Sequence, residues 1–88
     1  MRVEFRKSFL KDLQRIRDAE IKKRLRQVIA QIEAARTLSE IRGIKRLRGG
    51  KQYYRVRMGD YRLGLLVEED TVIFVRFLHR KEVYRYFP

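Results

Sequence analysis

The 88-residue chain contains no cysteine, one proline and a single histidine. The lack of cysteine excludes disulfides, thiolate zinc sites and cysteine nucleophiles. One histidine with few clustered acids leaves no set of metal ligands, and Gly49-Gly50 lacks the rest of any nucleotide-binding pattern. No apolar run approaches the roughly 20 residues that cross a bilayer, and the first residues lack the apolar stretch of a signal peptide. We therefore expect an unprocessed cytoplasmic protein.

Acidic residues are also scarce, with 11 Asp and Glu against 23 Lys and Arg, a formal net charge of +12 and a pI near 10.7. Hydrophobic residues make up 44% of the chain, which is typical of a folded protein, and the length suits one small domain over residues 1–88. A surface this basic predicts an anionic partner. Nucleic acid is the first candidate and an acidic protein is the second.

The first third of the chain predicts a strand followed by two helices. Residues 2–5 alternate as a short strand, and a first helix follows with Ser8 as its cap. Asp18 is expected to cap the second helix. Apolar residues at steps of three and four give that helix one continuous stripe: Ile21, Leu25, Val28, Ile29, Ile32 and Ala35.

The rest of the chain predicts a connector and three strands. Gly43 and Gly49-Gly50 interrupt the connector, residues 36–51. Strands are expected at 52–58, 61–67 and 71–78, and the short links between them require antiparallel neighbours. The predicted fold is α+β, with the order β-α-α-β-β-β and the helical hairpin packed on one face of a small, mainly antiparallel sheet.

The segment 53–62 places three arginines on one face of this sheet. If Gly59 and Asp60 form the turn of a hairpin, Arg57 lies opposite Arg62, with Arg55 two residues along on the same side. Like charges facing each other across a ladder destabilise it by a few tenths of a kcal/mol up to about 1. We therefore expect these guanidinium groups to bind phosphates.

The register of the last strand is predicted from the cost of burying an unpaired guanidinium, which is several kcal/mol. A three-residue loop at 68–70 turns Arg76 away from the helices, whereas a two-residue loop turns it inward, so we expect the longer loop. The face toward the helices then carries Tyr54, Val56, Met58, Tyr61, Leu63, Leu65, Val67, Ile73, Val75 and Phe77.

The opposite face, called here the arginine face, is expected to carry Arg55, Arg57, Arg62, Arg76 and, just past the strand, Arg80. The same alternation places four apolar residues beside these charges: Leu66, Val72, Phe74 and Leu78. An exposed apolar zone next to a cationic one predicts a surface for a protein partner, although a segment of the chain could also fold over it.

Further basic residues surround this face. Lys45, Arg46, Arg48 and Lys51 in the connector are compatible either with phosphate tracking or with plain solubility. Beyond the last strand, the only histidine, His79, stands close to Arg80 and Tyr84, a group of residue types that could support catalysis.

The order of these segments resembles the RelE branch of the RelE/ParE toxin superfamily. The resemblance rests on four motifs in sequence: Leu47-Arg48-Gly49, Tyr54-Arg55-Val56-Arg57, Asp60-Tyr61-Arg62-Leu63 and His79-Arg80-Lys81-Glu82-Val83-Tyr84. Such proteins are toxins of type II toxin–antitoxin modules that enter the ribosomal aminoacyl site and cut messenger RNA. The resemblance implies attack of a ribose 2′-hydroxyl on the adjacent phosphate, with no metal and no cofactor. It also implies a cognate acidic antitoxin of the RelB type, with the ribosome and messenger RNA as further partners.

The resemblance assigns roles to individual residues. Arg62, Arg80 and Arg57 would hold the phosphate, Tyr84 would orient or activate the 2′-hydroxyl, and His79 or Arg55 would assist proton movement. An arginine cannot act as an ordinary base, so the general base stays open between His79 and Tyr84. The expected RNA-binding residues are Lys45, Arg46, Arg48, Lys51, Tyr53, Arg76 and Lys81.

Two other functions are compatible with the sequence. A ParE-like inhibitor of DNA gyrase would share the fold but generally lacks the ending from His79-Arg80 to Tyr84. A non-enzymatic RNA-binding or ribosome-associated protein could use the same arginines and tyrosines for phosphate contacts and stacking.

Overall fold

A computed structural model describes residues 1–88. Its elements are β1 (Arg2–Phe5), α1 (Lys7–Gln14), α2 (Ala19–Ala34), β2 (Ile44–Arg46), β3 (Tyr53–Met58), β4 (Tyr61–Glu68), β5 (Thr71–His79) and α3 (Arg80–Tyr86). The strands form one sheet in the order β1-β5-β4-β3-β2, in which only β1 and β5 run parallel. The predicted α+β class and the strand–helix–helix–strands order are confirmed. No helix has both the length and the apolar character needed to cross a membrane.

The helical hairpin supplies one side of the main core. The apolar stripe of α2 is confirmed, with Ile21, Leu25 and Ile32 buried against the sheet. The expected cap of α2 is also confirmed, because Asp18 accepts hydrogen bonds from the backbone N–H groups of Glu20 at 2.9 Å and Ile21 at 3.3 Å. A cap of this kind stabilises a helix by about 1 kcal/mol.

The expected cap of α1 is wrong. Arg6 occupies the N-cap position of α1 and makes no side-chain cap, and Ser8 lies inside the helix. The Ser8 hydroxyl instead donates to the backbone carbonyl of Val75 at 2.6 Å. Since β1 pairs only with residues 71–74 of β5, the later part of that strand has an open edge, and Ser8 satisfies a carbonyl there.

The link between β4 and β5 is shorter than expected. Glu68 pairs with Thr71, so Glu69 and Asp70 form a two-residue turn in which Glu69 has φ of 55°. A β-bulge follows, because Leu65 pairs with Phe74 while its neighbour Gly64 pairs with Arg76, which leaves Val75 as the extra residue.

The shorter turn and the bulge together change which side chains face the helices. The two-residue turn pairs Val67 with Val72 and Leu65 with Phe74, so the assignments of Ile73 to the helix side and of Val72 and Phe74 to the arginine face are wrong. The assignment of Val75 to the helix side is also wrong, because Val75 is the extra residue of the bulge. Val72 and Phe74 are buried in the main core, and Val75 packs on the opposite side. Arg76 pairs with Gly64 and lies on the arginine face as expected, although the bulge and not a longer loop puts it there.

Arg76 is paired with a buried carboxylate rather than free. Asp12 of α1, only 5% exposed, accepts from Arg76 Nε at 2.8 Å, from Arg76 Nη2 at 3.0 Å and from the backbone N–H of Phe77 at 2.8 Å. This hydrogen bond to the Asp12 side chain is the main reason that the pKa of Arg76 is raised. The pair therefore attaches α1 to the open edge of β5.

Two elements were not expected. The connector contains β2, which pairs with β3 through residues 44–46, and the chain ends in α3. A second, smaller core forms under α3 from Leu78, Val83 and Phe87. Of the four apolar residues expected beside the arginines, Val72 and Phe74 lie in the main core instead, and the C-terminal segment of the chain covers Leu78, as the alternative of a covering segment predicts. A protein partner on the rest of this face, which includes Leu66, stays a prediction.

Candidate active site

The hairpin between β3 and β4 brings arginines together as the sequence predicts. Met58 pairs with Tyr61, Arg57 pairs directly with Arg62, and Arg55 pairs with Gly64. Gly59 opens the turn with φ of +60°, a conformation that other residues rarely adopt at the first position of a type II′ hairpin turn. The glycine thus fixes the register that places these charges side by side.

Arg62 is at the centre of the group. Its Nη1 donates to the carbonyl oxygens of Gly59 at 2.7 Å and Tyr61 at 2.9 Å, which fixes the guanidinium against the turn. Burial lowers the pKa of Arg62, and the nearby charges of Arg57 and Arg55 lower it further. The cations repel one another, so an anion bound among them would relieve that repulsion.

Helix α3 adds Arg80 and Tyr84 to these arginines. Its start is fixed to the hairpin, because the backbone N–H of Arg80 donates to the carbonyl of Asp60 at 2.7 Å and Arg80 Nε lies 3.6 Å from Asp60 Oδ1. One turn later, the ring of Tyr84 lies under Arg55, with 4.7 Å between the guanidinium carbon and the ring centroid. Tyr84 is 75% exposed and so is open to a ligand.

These residues form one site, called here the arginine cluster: Arg55, Arg57, Arg62 and Arg80, with Tyr84 beside them. Arg80 and Tyr84 both contribute to the electrostatic environment of Arg62, as do Arg55 and Arg57. Guanidinium groups donate several hydrogen bonds in a fixed plane, and the phenol can donate or accept one. The cluster is therefore suited to holding a phosphate while a hydroxyl group acts next to it.

His79 does not join the cluster. It pairs with Tyr61, packs edge-on against that ring with 5.6 Å between centroids, and lines a small cavity that includes Asp12. Its Nδ1 accepts the backbone N–H of Lys81 at 3.1 Å and thereby caps α3. The expectation that His79 acts beside the arginines is not supported by this position, since the imidazole lies on the helix side of the sheet.

The family of the chain follows from comparison with known proteins. A family model described as the ParE toxin of the type II toxin-antitoxin system, parDE, matches residues 3–84. The chain belongs to this toxin family, within the RelE/ParE superfamily. The assignment confirms the resemblance inferred from the sequence motifs.

Individual relatives agree with the family. The toxin is 43% identical to Toxin RelE3 of Methanocaldococcus jannaschii over 89 residues, covering 100% of both chains. It is 41% identical to a chain in the crystal structure of the RelB-RelE antitoxin-toxin complex from Methanococcus jannaschii, with a TM-score of 0.83 and coverage of 97% and 99%. A chain in the archaeal RelE-RelB complex from Pyrococcus horikoshii matches at 24% identity with a TM-score of 0.74, covering 90% and 93%, which supports the fold alone.

One contact at the toxin's site was missed by the sequence reasoning. The ring of Phe87 packs directly on Gly64, where an added methyl group would come within 2.8 Å of the ring. Tyr53 packs edge-on against the same ring, with 5.4 Å between centroids. This contact holds the end of α3, and with it Tyr84, against the sheet. A glycine inside an apolar strand was the available signal, because it marks the close approach of another group.

The remaining basic residues of the toxin are distributed over several places. Lys45, Arg46 and Arg48 line a groove of about 460 Å³ together with Arg55 and Tyr84. Lys51 and Tyr53 line a separate cavity, and Lys81 is exposed on the first turn of α3. Arg76 is bound by Asp12, as described above. Among the expected RNA-binding residues, Lys45, Arg46 and Arg48 are therefore the ones that extend the arginine cluster.

Proposed function

We propose that this toxin is an endoribonuclease that cleaves messenger RNA in the ribosomal aminoacyl site and so inhibits translation. The observation that carries the proposal is the convergence of Arg55, Arg57 and Arg80 on Arg62, with the exposed ring of Tyr84 against Arg55. Arginines and an aromatic hydroxyl that meet in this way suit the recognition and cleavage of a ribose-phosphate.

The proposed reaction needs no water. The 2′-oxygen attacks the adjacent phosphorus, the bond from phosphorus to the 5′-oxygen breaks, and the products are a 2′,3′-cyclic phosphate and a 5′-hydroxyl. One proton leaves the 2′-hydroxyl and one is delivered to the departing 5′-oxygen. Negative charge builds on the phosphorane oxygens between these two events.

The arginines supply the charge stabilisation. Arg62 is fixed by two backbone carbonyls, so its remaining N–H groups are oriented before the RNA binds. Removing a single preorganised donor from such a site costs about 10²- to 10³-fold in rate in well-studied enzymes. The repulsion among Arg62, Arg57 and Arg55 adds to the preference for an anionic transition state.

Tyr84 is assigned to the 2′-hydroxyl. The guanidinium groups stay protonated, so Tyr84 is the member of the arginine cluster that can both accept and donate a proton. Its contact with Arg55 orients the ring, and its exposure leaves room for a nucleotide. We assign no divalent cation to the reaction, because four arginines would repel it.

The partners follow from the charge and from the related toxins. A net charge of +12 favours association with ribosomes and messenger RNA, which are polyanions. Related RelE chains occur in complexes with RelB antitoxins. We therefore propose that an acidic antitoxin of the RelB type binds this toxin and competes with RNA for the basic surface.

The test is primer extension on messenger RNA incubated with purified toxin and programmed ribosomes. Arg62→Ala and Tyr84→Phe should each lower the cleavage rate by about 10²-fold or more while the protein stays folded. Arg17→Ala, which removes an exposed arginine elsewhere, should cleave normally. Full activity of both site variants would show that the site is misassigned.

The family model is named for ParE, so gyrase inhibition is the second candidate. It is tested in the same preparation by DNA supercoiling. Gyrase inhibition without RNA cleavage would favour the ParE-like function. Salt-sensitive RNA binding with neither activity would favour a non-enzymatic RNA-binding protein.

A further inference from the structure

A second basic groove lies outside the site described above. It runs between α2 and the edge of β3 next to residues 42–43, just before β2 begins, and its volume is about 560 Å³. We call it the side groove. Its polar lining comes from Arg24, Gln27 and Gln31 of α2 and from Arg42 and Arg57 opposite them.

The side groove is uniformly cationic. No acidic residue lines it, and the ion pairs of the protein involve Asp12 with Arg76 and Asp60 with Arg80 only. Arg24 spans the groove from the helix side, since its Nη1 lies within 3.2 Å of the position that a methyl group on Gly59 would take. The guanidinium groups of Arg24 and Arg42 thus have no carboxylate to neutralise them.

The side groove is continuous with the arginine cluster. Arg57 belongs to both, because it pairs with Arg62 in the hairpin and also lines the side groove. Gly59, the first residue of the hairpin turn, lies at the junction. A chain of phosphates that has one member in the cluster can therefore pass Arg57 and continue beside Arg24 and Arg42.

The floor of the side groove does not suit a protein partner. Of its three apolar residues, Val56 and Met58 are each only 1% exposed and Val28 is half-buried, so it offers little of the accessible apolar surface that anchors protein interfaces. The exposed amides of Gln27 and Gln31 donate and accept hydrogen bonds, which fits nucleotide base edges and 2′-hydroxyl groups.

We infer that the side groove binds the segment of single-stranded RNA that flanks the phosphate held in the arginine cluster. The inference rests on the proposed function for the position of that phosphate. Arg24 and Arg42 contact backbone phosphates, and the glutamines contact whichever bases face them. The groove therefore adds affinity with little dependence on sequence.

The test is binding of uncleavable RNA, made with deoxyribose at the scissile nucleotide. A trinucleotide is long enough to fill the arginine cluster alone. Two longer RNAs of about ten nucleotides, a length within the range of single-strand binding sites, extend this trinucleotide on its 5′ side or on its 3′ side. The wild-type toxin should bind one of the extended RNAs more tightly than the trinucleotide. The double variant Arg24→Ala/Arg42→Ala should bind that extended RNA at least roughly tenfold more weakly than the wild-type toxin does, while its affinity for the trinucleotide is unchanged.

Salt dependence gives an independent readout. On single-stranded RNA, removing one arginine–phosphate interaction lowers the slope of log affinity against log salt by about 0.7, so the slope of the double variant should be smaller by about 1.4. The control Arg26→Ala/Arg36→Ala removes the same charge from exposed positions outside the side groove and should change the slope much less.

The inference is overturned if neither extended RNA gains affinity, or if the groove and control variants lose affinity equally. It is also overturned if the groove variant weakens binding of an acidic antitoxin peptide but not of RNA. Failure of the proposed function looks different: the wild-type toxin would then cleave no message on ribosomes, whatever the length dependence of RNA binding.

Discussion

Replacing Asp12 by alanine should destabilise the toxin more than any exposed charge change. The side chain accepts two hydrogen bonds from Arg76 and one from the backbone N–H of Phe77. After the substitution the amide of Phe77, a residue that is 1% exposed, has no acceptor. The guanidinium of Arg76, whose side chain is 23% exposed, loses its carboxylate.

The expected cost can be estimated from these two losses. A buried donor left without a partner costs about 1–3 kcal/mol, and removing one member of a buried ion pair costs about 3–5 kcal/mol. The two figures overlap, and water can reach Arg76 in part, so we expect about 2–4 kcal/mol in total. For a domain of this size that corresponds to a fall in Tm of roughly 10–25 °C.

The assay is urea unfolding followed by far-ultraviolet circular dichroism. A lower midpoint with an unchanged m-value would report lost stability alone. Asp60→Ala is the matched control, because the Asp60–Arg80 pair spans 3.6 Å with side chains that are 69% and 58% exposed. Exposed pairs of this kind contribute between zero and about 1 kcal/mol.

Two results would refute the reasoning. One is a loss below about 1 kcal/mol for Asp12→Ala, since that is less than the cost of the unpaired amide alone. The other is an equal loss for Asp60→Ala. Adding Arg76→Ala to complete a double-mutant cycle should give a coupling energy in the range of about 0.5–3 kcal/mol.

Three further predictions concern the site. Gly64→Ala should push the ring of Phe87 off the sheet, which lowers the free energy of unfolding by about 1–3 kcal/mol in thermal unfolding and slows RNA cleavage. Adding Phe87→Ala to the same chain should relieve the clash but should not restore the rate of RNA cleavage. Arg57→Gln should raise the free energy of unfolding by about 0.2–1 kcal/mol while weakening RNA binding, because it removes a like charge opposite Arg62. His79→Asn should keep the cap of α3 and cleave RNA within a few fold of wild type, whereas a loss of about 10²-fold or more would return His79 to the set of catalytic groups.

Local sequence patterns were sufficient for much of the fold. The stripe on α2, the cap at Asp18 and the hairpin at Gly59-Asp60 each depend on residues close together in the chain, and all three are confirmed. The hairpin also fixed the position of Arg57 against Arg62, with Arg55 on the same face, so three of the four arginines in the cluster could be predicted from alternation and turn chemistry.

Features that depend on distant contacts were not predicted. The bulge at Val75 shifts the alternation of β5 by one residue, and the partner that makes Arg76 acceptable near the core, Asp12, lies 64 residues earlier in the chain. The short strand β2 is defined by pairing with β3 rather than by its own pattern. Helix α3 was missed because its burial depends on the space above Gly64.

The central claim is that the arginine cluster and Tyr84 direct a ribose 2′-hydroxyl onto the neighbouring phosphate. Its most direct test uses a message in which the nucleotide to be cleaved, in the ribosomal aminoacyl site, carries deoxyribose instead of ribose. The ends of the cleavage products are then analysed. We predict that the all-ribose message yields a 2′,3′-cyclic phosphate and a 5′-hydroxyl, and that the deoxyribose message is not cut at that position. Cleavage at the deoxyribose, or products that end in a 3′-hydroxyl, would contradict the account.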